Sequence, residues 1–140
     1  MTRKAAAIWK GSIKDGKGAM KVESGAFEGK YSFSSRFEDG TGTNPEELIG
    51  AAHAGCFSMA LSLMLGEAGY TPDEISTKAE VTIEQKGEGF AITGITLNTE
   101  ASVPNIDEDT FMKHAQNAKE GCPVSQALAG TNISLNAKLK

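Results

Sequence analysis

Residues 44–69 constrain the fold of this chain more than any other stretch. Asn44-Pro45-Glu46-Glu47 is a helix start. Asn accepts a backbone N–H as N-cap, Pro suits the first helical position, and two acids face the positive end of the helix dipole. The helix runs on through Leu48, Ile49, Ala52, Cys56, Met59, Leu63 and Met64, and Gly69 offers a stop after Glu67-Ala68. Apolar residues occur nearly all the way round it, so a buried central helix is expected. A chain that contains such a helix must wrap other elements around it.

The flanking sequence supplies them. Ala5–Lys10, Ala19–Glu23 and Tyr31–Phe37 read as short strands separated by Gly-rich turns such as Asp15-Gly16-Lys17-Gly18. Lys78–Lys86 alternates apolar and polar residues, Lys86-Gly87-Glu88-Gly89 turns, and Phe90–Glu100 returns, which makes a hairpin. Ile106–Asp109 opens a second helix to Lys119, a short helix starts near Cys122, and residues 132–139 form a last strand. The predicted class is α+β, with antiparallel sheets wrapped around the long helix, not a βαβ series. At 140 residues a single domain, 1–140, is expected, with enough chain to bury a core without a disulfide.

Composition excludes several function classes. Lys and Arg number 14 against 18 Asp and Glu, for a net charge of −4. The lysines are scattered, so neither nucleic acid nor an anionic membrane is expected as a partner. The N-terminal apolar stretch has five residues, below the roughly seven to fifteen of a signal peptide. The most apolar stretch, Met59–Leu65, is far shorter than the ~20 residues of a membrane span. A soluble, cytoplasmic protein is expected, and there a lasting structural disulfide is unusual.

Only two cysteines are present, Cys56 and Cys122, far apart in sequence. Cys56 lies in an apolar helical run, where a free cysteine also serves as small apolar filler. Cys122 follows Gly121 and precedes Pro123, which puts its thiol at a helix N-terminus, a setting that favours thiolate or simply caps the helix. Arg36 is close in sequence to the Cys56 helix; a guanidinium beside a thiol lowers its pKa, although most arginines are solvated surface groups. Glu46 and Glu47 are dipole-matched acids, and one of them can hold Arg36. Glu46 lies ten residues before Cys56, roughly 15 Å along a straight helix, so it cannot touch that thiol directly. His53 shares a helix face with Cys56, but the sequence names no partner to orient it as a base. With His114 and the two cysteines it makes a conceivable zinc set, yet no two of them have common zinc spacing.

These residues resemble a known family. Residues 42–69, including Asn44-Pro45-Glu46-Glu47-Leu48-Ile49-Gly50 and His53-Ala54-Gly55-Cys56-Phe57-Ser58-Met59, closely resemble the osmotically inducible protein C (OsmC) branch of the OsmC/Ohr family. Gly121-Cys122-Pro123-Val124-Ser125 is similar to its second cysteine motif, and the similarity extends to Glu23-Ser24-Gly25 and Ser35-Arg36-Phe37. Gly55 departs from the pattern, standing where the family has alanine.

The resemblance implies a peroxidase acting on organic hydroperoxides and more weakly on hydrogen peroxide, as an intertwined homodimer with sites across its interface. It implies that Cys56 is the peroxidatic cysteine, Cys122 the resolving one, and Arg36 and Glu46 the pair that activates the Cys56 thiolate. It implies no resident cofactor or metal, and an external dithiol such as dihydrolipoamide or a lipoylated protein as reductant. Phe57, Met59 and Leu63 are then expected to line an apolar substrate pocket. The rival readings are a thiol sensor without turnover and a structural domain with two buried cysteines.

Overall fold

A computed structural model describes residues 1–140, which divide into two compact units, Met1–Leu48 and Ile49–Lys140. The first unit is a three-stranded antiparallel meander of β1 (Ala5–Lys10), β2 (Lys17–Val22) and β3 (Glu28–Tyr31). Trp9 and Tyr31 pack together near the end of the sheet beside the β1–β2 turn, with ring centroids 5.4 Å apart. Gly18 lies beneath them, and a Cβ there would come within 2.7 Å of the Trp9 ring, so a glycine is required.

The expected third strand, Tyr31–Phe37, is corrected by the structure. Strand β3 ends at Tyr31, and Phe33–Phe37 is a short helix, α1. Ser32 is its N-cap and shares a capping box with Ser35, each side chain bonded to the other's backbone N–H. Phe33 and Phe37, at i and i+4, stack with centroids 5.1 Å apart. Arg36 therefore sits in the last turn of a helix and not at a strand end.

Helix α2 spans Pro45–Glu67. As expected, Asn44 Oδ1 accepts the Glu47 N–H at 2.8 Å at its start. At its end Gly69 takes φ +92° while the Tyr70 N–H bonds Leu65 O at 2.8 Å. Its burial differs from expectation. Glu46, Gly50, His53, Phe57, Leu61 and Leu65 form one buried stripe at helical spacing. On the other side Met59 is 77% and Leu63 62% exposed. The helix is apolar all round but covered on one face only, because a single chain of this size has too little material for both. By length and composition α2 is also sufficient to cross a membrane, which corrects the reading based on Met59–Leu65 alone.

The second unit builds a sheet in the order β4-β5-β6, from Glu74–Lys86, Gly89–Ser102 and Asn132–Leu139. Hairpin β4–β5 turns at Gly87-Glu88, with Gly87 at φ +61° as a two-residue connection requires. Strand β6 pairs with β5 in parallel, not antiparallel, because α3 (Glu108–Gly121) and α4 (Pro123–Ala127) carry the chain back before it starts. Phe57, Leu61 and Leu65 meet Ile95, Leu97, Phe111, Ala115, Ala118 and Cys122 in the core. Burying a side chain such as Phe57 or Leu61 contributes about 2 kcal/mol. Ser58 Oγ lies 2.8 Å from Thr77 Oγ1, a polar link between α2 and β4.

Candidate active site

Pro123 cannot extend α3, since it has no N–H to give and its ring blocks the preceding turn. The chain breaks at Cys122, which is extended (φ −64°, ψ 139°), closes α3 and N-caps α4. Its thiol is the cap: the Ser125 N–H donates to Cys122 Sγ at 3.3 Å. The expected helix-start position of Cys122 is what the structure has, and the side chain is 1% exposed.

The fold brings the two cysteines together. Neither is in a disulfide, Cys56 is half-buried on α2, and Cys122 is near enough to perturb its thiol. Consecutive amides of the first turn of α4 act on the two sulfurs: the Ser125 N–H donates to Cys122, and the Val124 N–H lowers the Cys56 pKa. Burial pushes the Cys56 thiol up, the Val124 N–H pulls it down, and the neighbouring Cys122 raises it further, so the net direction is upward.

In the first unit Arg36 and Glu46 are paired. Arg36 Nε and Nη2 both donate to Glu46 Oε1, at 3.0 and 2.8 Å. Glu46 is 6% exposed, and its Oε2 is buried without a partner. The choice between the two acids falls on Glu46, since Glu47 is exposed and accepts from Asn44 Nδ2 at 2.9 Å. Both guanidinium donors use one carboxylate oxygen, so the contact is not the two-oxygen fork expected for a bidentate pair.

His53 is fully buried, and its Nε2 lies 2.7 Å from Ser125 Oγ. Burial lowers its pKa below 6.5, and Nδ1 has no hydrogen-bond partner. The sequence reading left His53 without an orienting partner and did not single out Ser125. One signal was there: His53 precedes Cys56 by three and Ser125 follows Cys122 by three, the spacing of helical neighbours. No group of three or more His, Cys, Asp or Glu side chains is arranged for a metal ion, so His53, His114 and the cysteines do not form a zinc set. Phe57, expected in a substrate pocket, is instead fully buried core, whereas Met59 and Leu63 reach the surface.

An α+β chain built on one long helix, with its two cysteines brought together at a helix junction, is a thiol-centre protein of the OsmC type. Residues 38–138 match the model of the OsmC family, "OsmC-like protein". The chain is 56% identical over 139 residues to Peroxiredoxin OsmC of Escherichia coli (strain K12), covering 99% of this chain and 96% of that one. It is 34% identical to an Organic hydroperoxide resistance protein of Xanthomonas axonopodis pv. citri, over 71% of this chain and 68% of that one. The crystal structure of the Organic Hydroperoxide Resistance Protein OhrB of Bacillus subtilis superposes with a TM-score of 0.75 at 26% identity, covering 100% and 98% of the two chains. The chain belongs to the OsmC-like family.

Proposed function

We propose that this protein is a cysteine-based peroxidase that reduces organic hydroperoxides, and hydrogen peroxide more weakly, in defence against oxidative and osmotic stress. The observation that carries the reading is that the fold sets Cys56 beside Cys122 at the start of α4, where the Val124 and Ser125 amides act on the two sulfurs. Relatives named as a peroxiredoxin and as an organic hydroperoxide resistance protein support the same activity.

Cys56 thiolate attacks the distal peroxide oxygen. The O–O bond breaks, the alkoxide leaves and takes a proton as alcohol, and Cys56 becomes a sulfenic acid. Cys122 then displaces hydroxide from that sulfur and forms the disulfide. An external dithiol, dihydrolipoamide or a lipoylated protein, reduces it by exchange, so no resident cofactor is needed. Within the chain the balance of influences raises the Cys56 pKa, and the chemistry therefore calls for a cation at the thiolate. We assign that role to Arg36, oriented by Glu46; their ion pair supports the assignment.

The bare apolar face of α2, with Met59 and Leu63, supports a homodimer in which a second copy covers it. We place the protein in the cytoplasm, where a transient catalytic disulfide is more usual than a lasting structural one. A steady-state assay with tert-butyl hydroperoxide and dihydrolipoamide tests the function. Turnover that vanishes in Cys56→Ser is expected, and a wild-type protein that consumes no peroxide would sink the enzyme reading.

A further inference from the structure

The chemistry above leaves the buried pair His53 and Ser125 without a task. Ser125 Oγ lies 2.7 Å from His53 Nε2 and accepts the Cys122 thiol at 3.2 Å. The three side chains make one hydrogen-bonded line that ends on the sulfur of Cys122. Its direction follows from the donors. The Cys122 S–H donates to Ser125 Oγ, which leaves the serine O–H for His53 Nε2 in the neutral ring whose proton is on Nδ1. Burial disfavours the imidazolium, so Nε2 keeps its lone pair.

Nδ1 is buried and unpartnered, which costs about 1–3 kcal/mol. An apolar residue of similar size would fill the same space without that cost, so packing does not account for a histidine here. The titratable group joined to His53 by hydrogen bonds is Cys122, reached through Ser125, while Cys56 lies three residues further along α2.

We propose that Ser125 and His53 form a proton relay for Cys122, with Ser125 the catalytic residue touching the reacting sulfur and His53 a positioning residue that receives the proton through it. The inference rests on the peroxidase reading and deepens it at the resolving step. Cys122 Sγ attacks the sulfur of the Cys56 sulfenic acid; the S–S bond forms, the S–O bond breaks and hydroxide leaves. The thiol proton passes to Ser125 Oγ as the serine proton passes to His53 Nε2. The Ser125 N–H, 3.3 Å from the sulfur, stabilises the charge that develops there. The proton on His53 and the departing hydroxide sum to one water, so thiol plus sulfenic acid gives disulfide plus water.

The test mixes the reduced full chain with one equivalent of tert-butyl hydroperoxide, quenches in acid at intervals, and separates reduced, sulfenic and disulfide forms by mass. The readout is the rate of disulfide formation relative to that of sulfenic acid formation. Ser125→Ala and His53→Asn are each expected to lower this ratio about a hundredfold near pH 7. The deficit should shrink about tenfold per pH unit as solvent hydroxide takes over from the relay, and Ser125→Thr should restore the ratio. A wild-type ratio in Ser125→Ala, or a deficit that does not shrink with pH, overturns the relay and leaves a structural role. If wild-type Cys56 is not oxidised at all, the peroxidase reading itself has failed, and the relay falls with it.

Discussion

The backbone N–H of Val124, a residue only two positions beyond Cys122, acts on the Cys56 thiol and pulls its pKa down. The turn that buries one cysteine thus also acts on the other, so on the proposed mechanism Cys56 would be oxidised beside the thiol that resolves it. Cys122→Ser should therefore stop at oxidised Cys56 after one equivalent of peroxide, where wild type loses two hydrogens as a disulfide. Intact-mass measurement distinguishes the two, and a wild type that also stops at the oxygenated form would remove Cys122 from the mechanism.

Arg36 and Glu46 carry asymmetric costs. Glu46 is nearly buried and Arg36 reaches solvent, with side-chain exposures of 8% and 34%. Arg36→Ala strands a buried carboxylate and should cost about 2–3 kcal/mol, a discount on a fully buried pair for the exposed arginine. Glu46→Gln should cost less. Urea unfolding measures both, and equal costs would contradict the asymmetry. Arg36→Ala should also slow alkylation of Cys56 by iodoacetamide about tenfold near pH 6, one unit of thiol pKa. An unchanged rate would show that Arg36 does not activate the thiol.

His53 makes stability depend on pH. Its folded pKa lies below 6.5, and unfolding restores the ordinary value. Below about pH 6.5 the unfolded chain binds a proton that the folded chain refuses. The stability due to neutral burial is complete above that point and is lost as the pH falls toward the folded pKa. The urea midpoint of wild type should drop more steeply over that range than that of His53→Asn. Parallel profiles would mean that His53 titrates alike in both states.

The bare face of α2 gives a prediction about assembly. Met59→Glu and Leu63→Glu place charge at the centre of the proposed dimer contact and should shift the protein from dimer to monomer in light scattering. A wild-type protein that scatters as a monomer at tens of micromolar would rule the dimer out.

Ser32 tests the corrected element. If Phe33–Phe37 is a capped helix, Ser32→Ala removes the cap bond to the Ser35 N–H, 3.2 Å long, and should cost about 1 kcal/mol. A strand at this place would tolerate the change.

Legibility followed the range of the interactions. Asn44, Pro45 and Gly69 announced α2 because caps are made with neighbours along the chain, and β1 and β6 appear with the bounds that their patterns predicted. Tyr31–Phe37 misled because aromatics at 31, 33 and 37 satisfy alternation in part. The Ser32–Ser35 box decides for helix, and a short capped turn outweighs a weak strand pattern. The apolar circumference of α2 was plain, but which half of it the chain covers was not, since that depends on where the sheet and α3 lie.

The family resemblance supplied the candidate set of Cys56, Cys122, Arg36 and Glu46; the sequence by itself determined the helix starts and stops, the hairpin and the position of Cys122 at a Pro-led helix. Those depend on local dihedral preferences and on residue types within a few positions of each other. Only the tertiary structure decided that Glu46 and not Glu47 holds Arg36, that Val124 acts on Cys56, and that His53 meets Ser125 across 72 residues of chain. Hydrogen bonds of that reach are set by how α2 and α4 pack on a common core, and packing leaves no periodic trace in the residues it brings together.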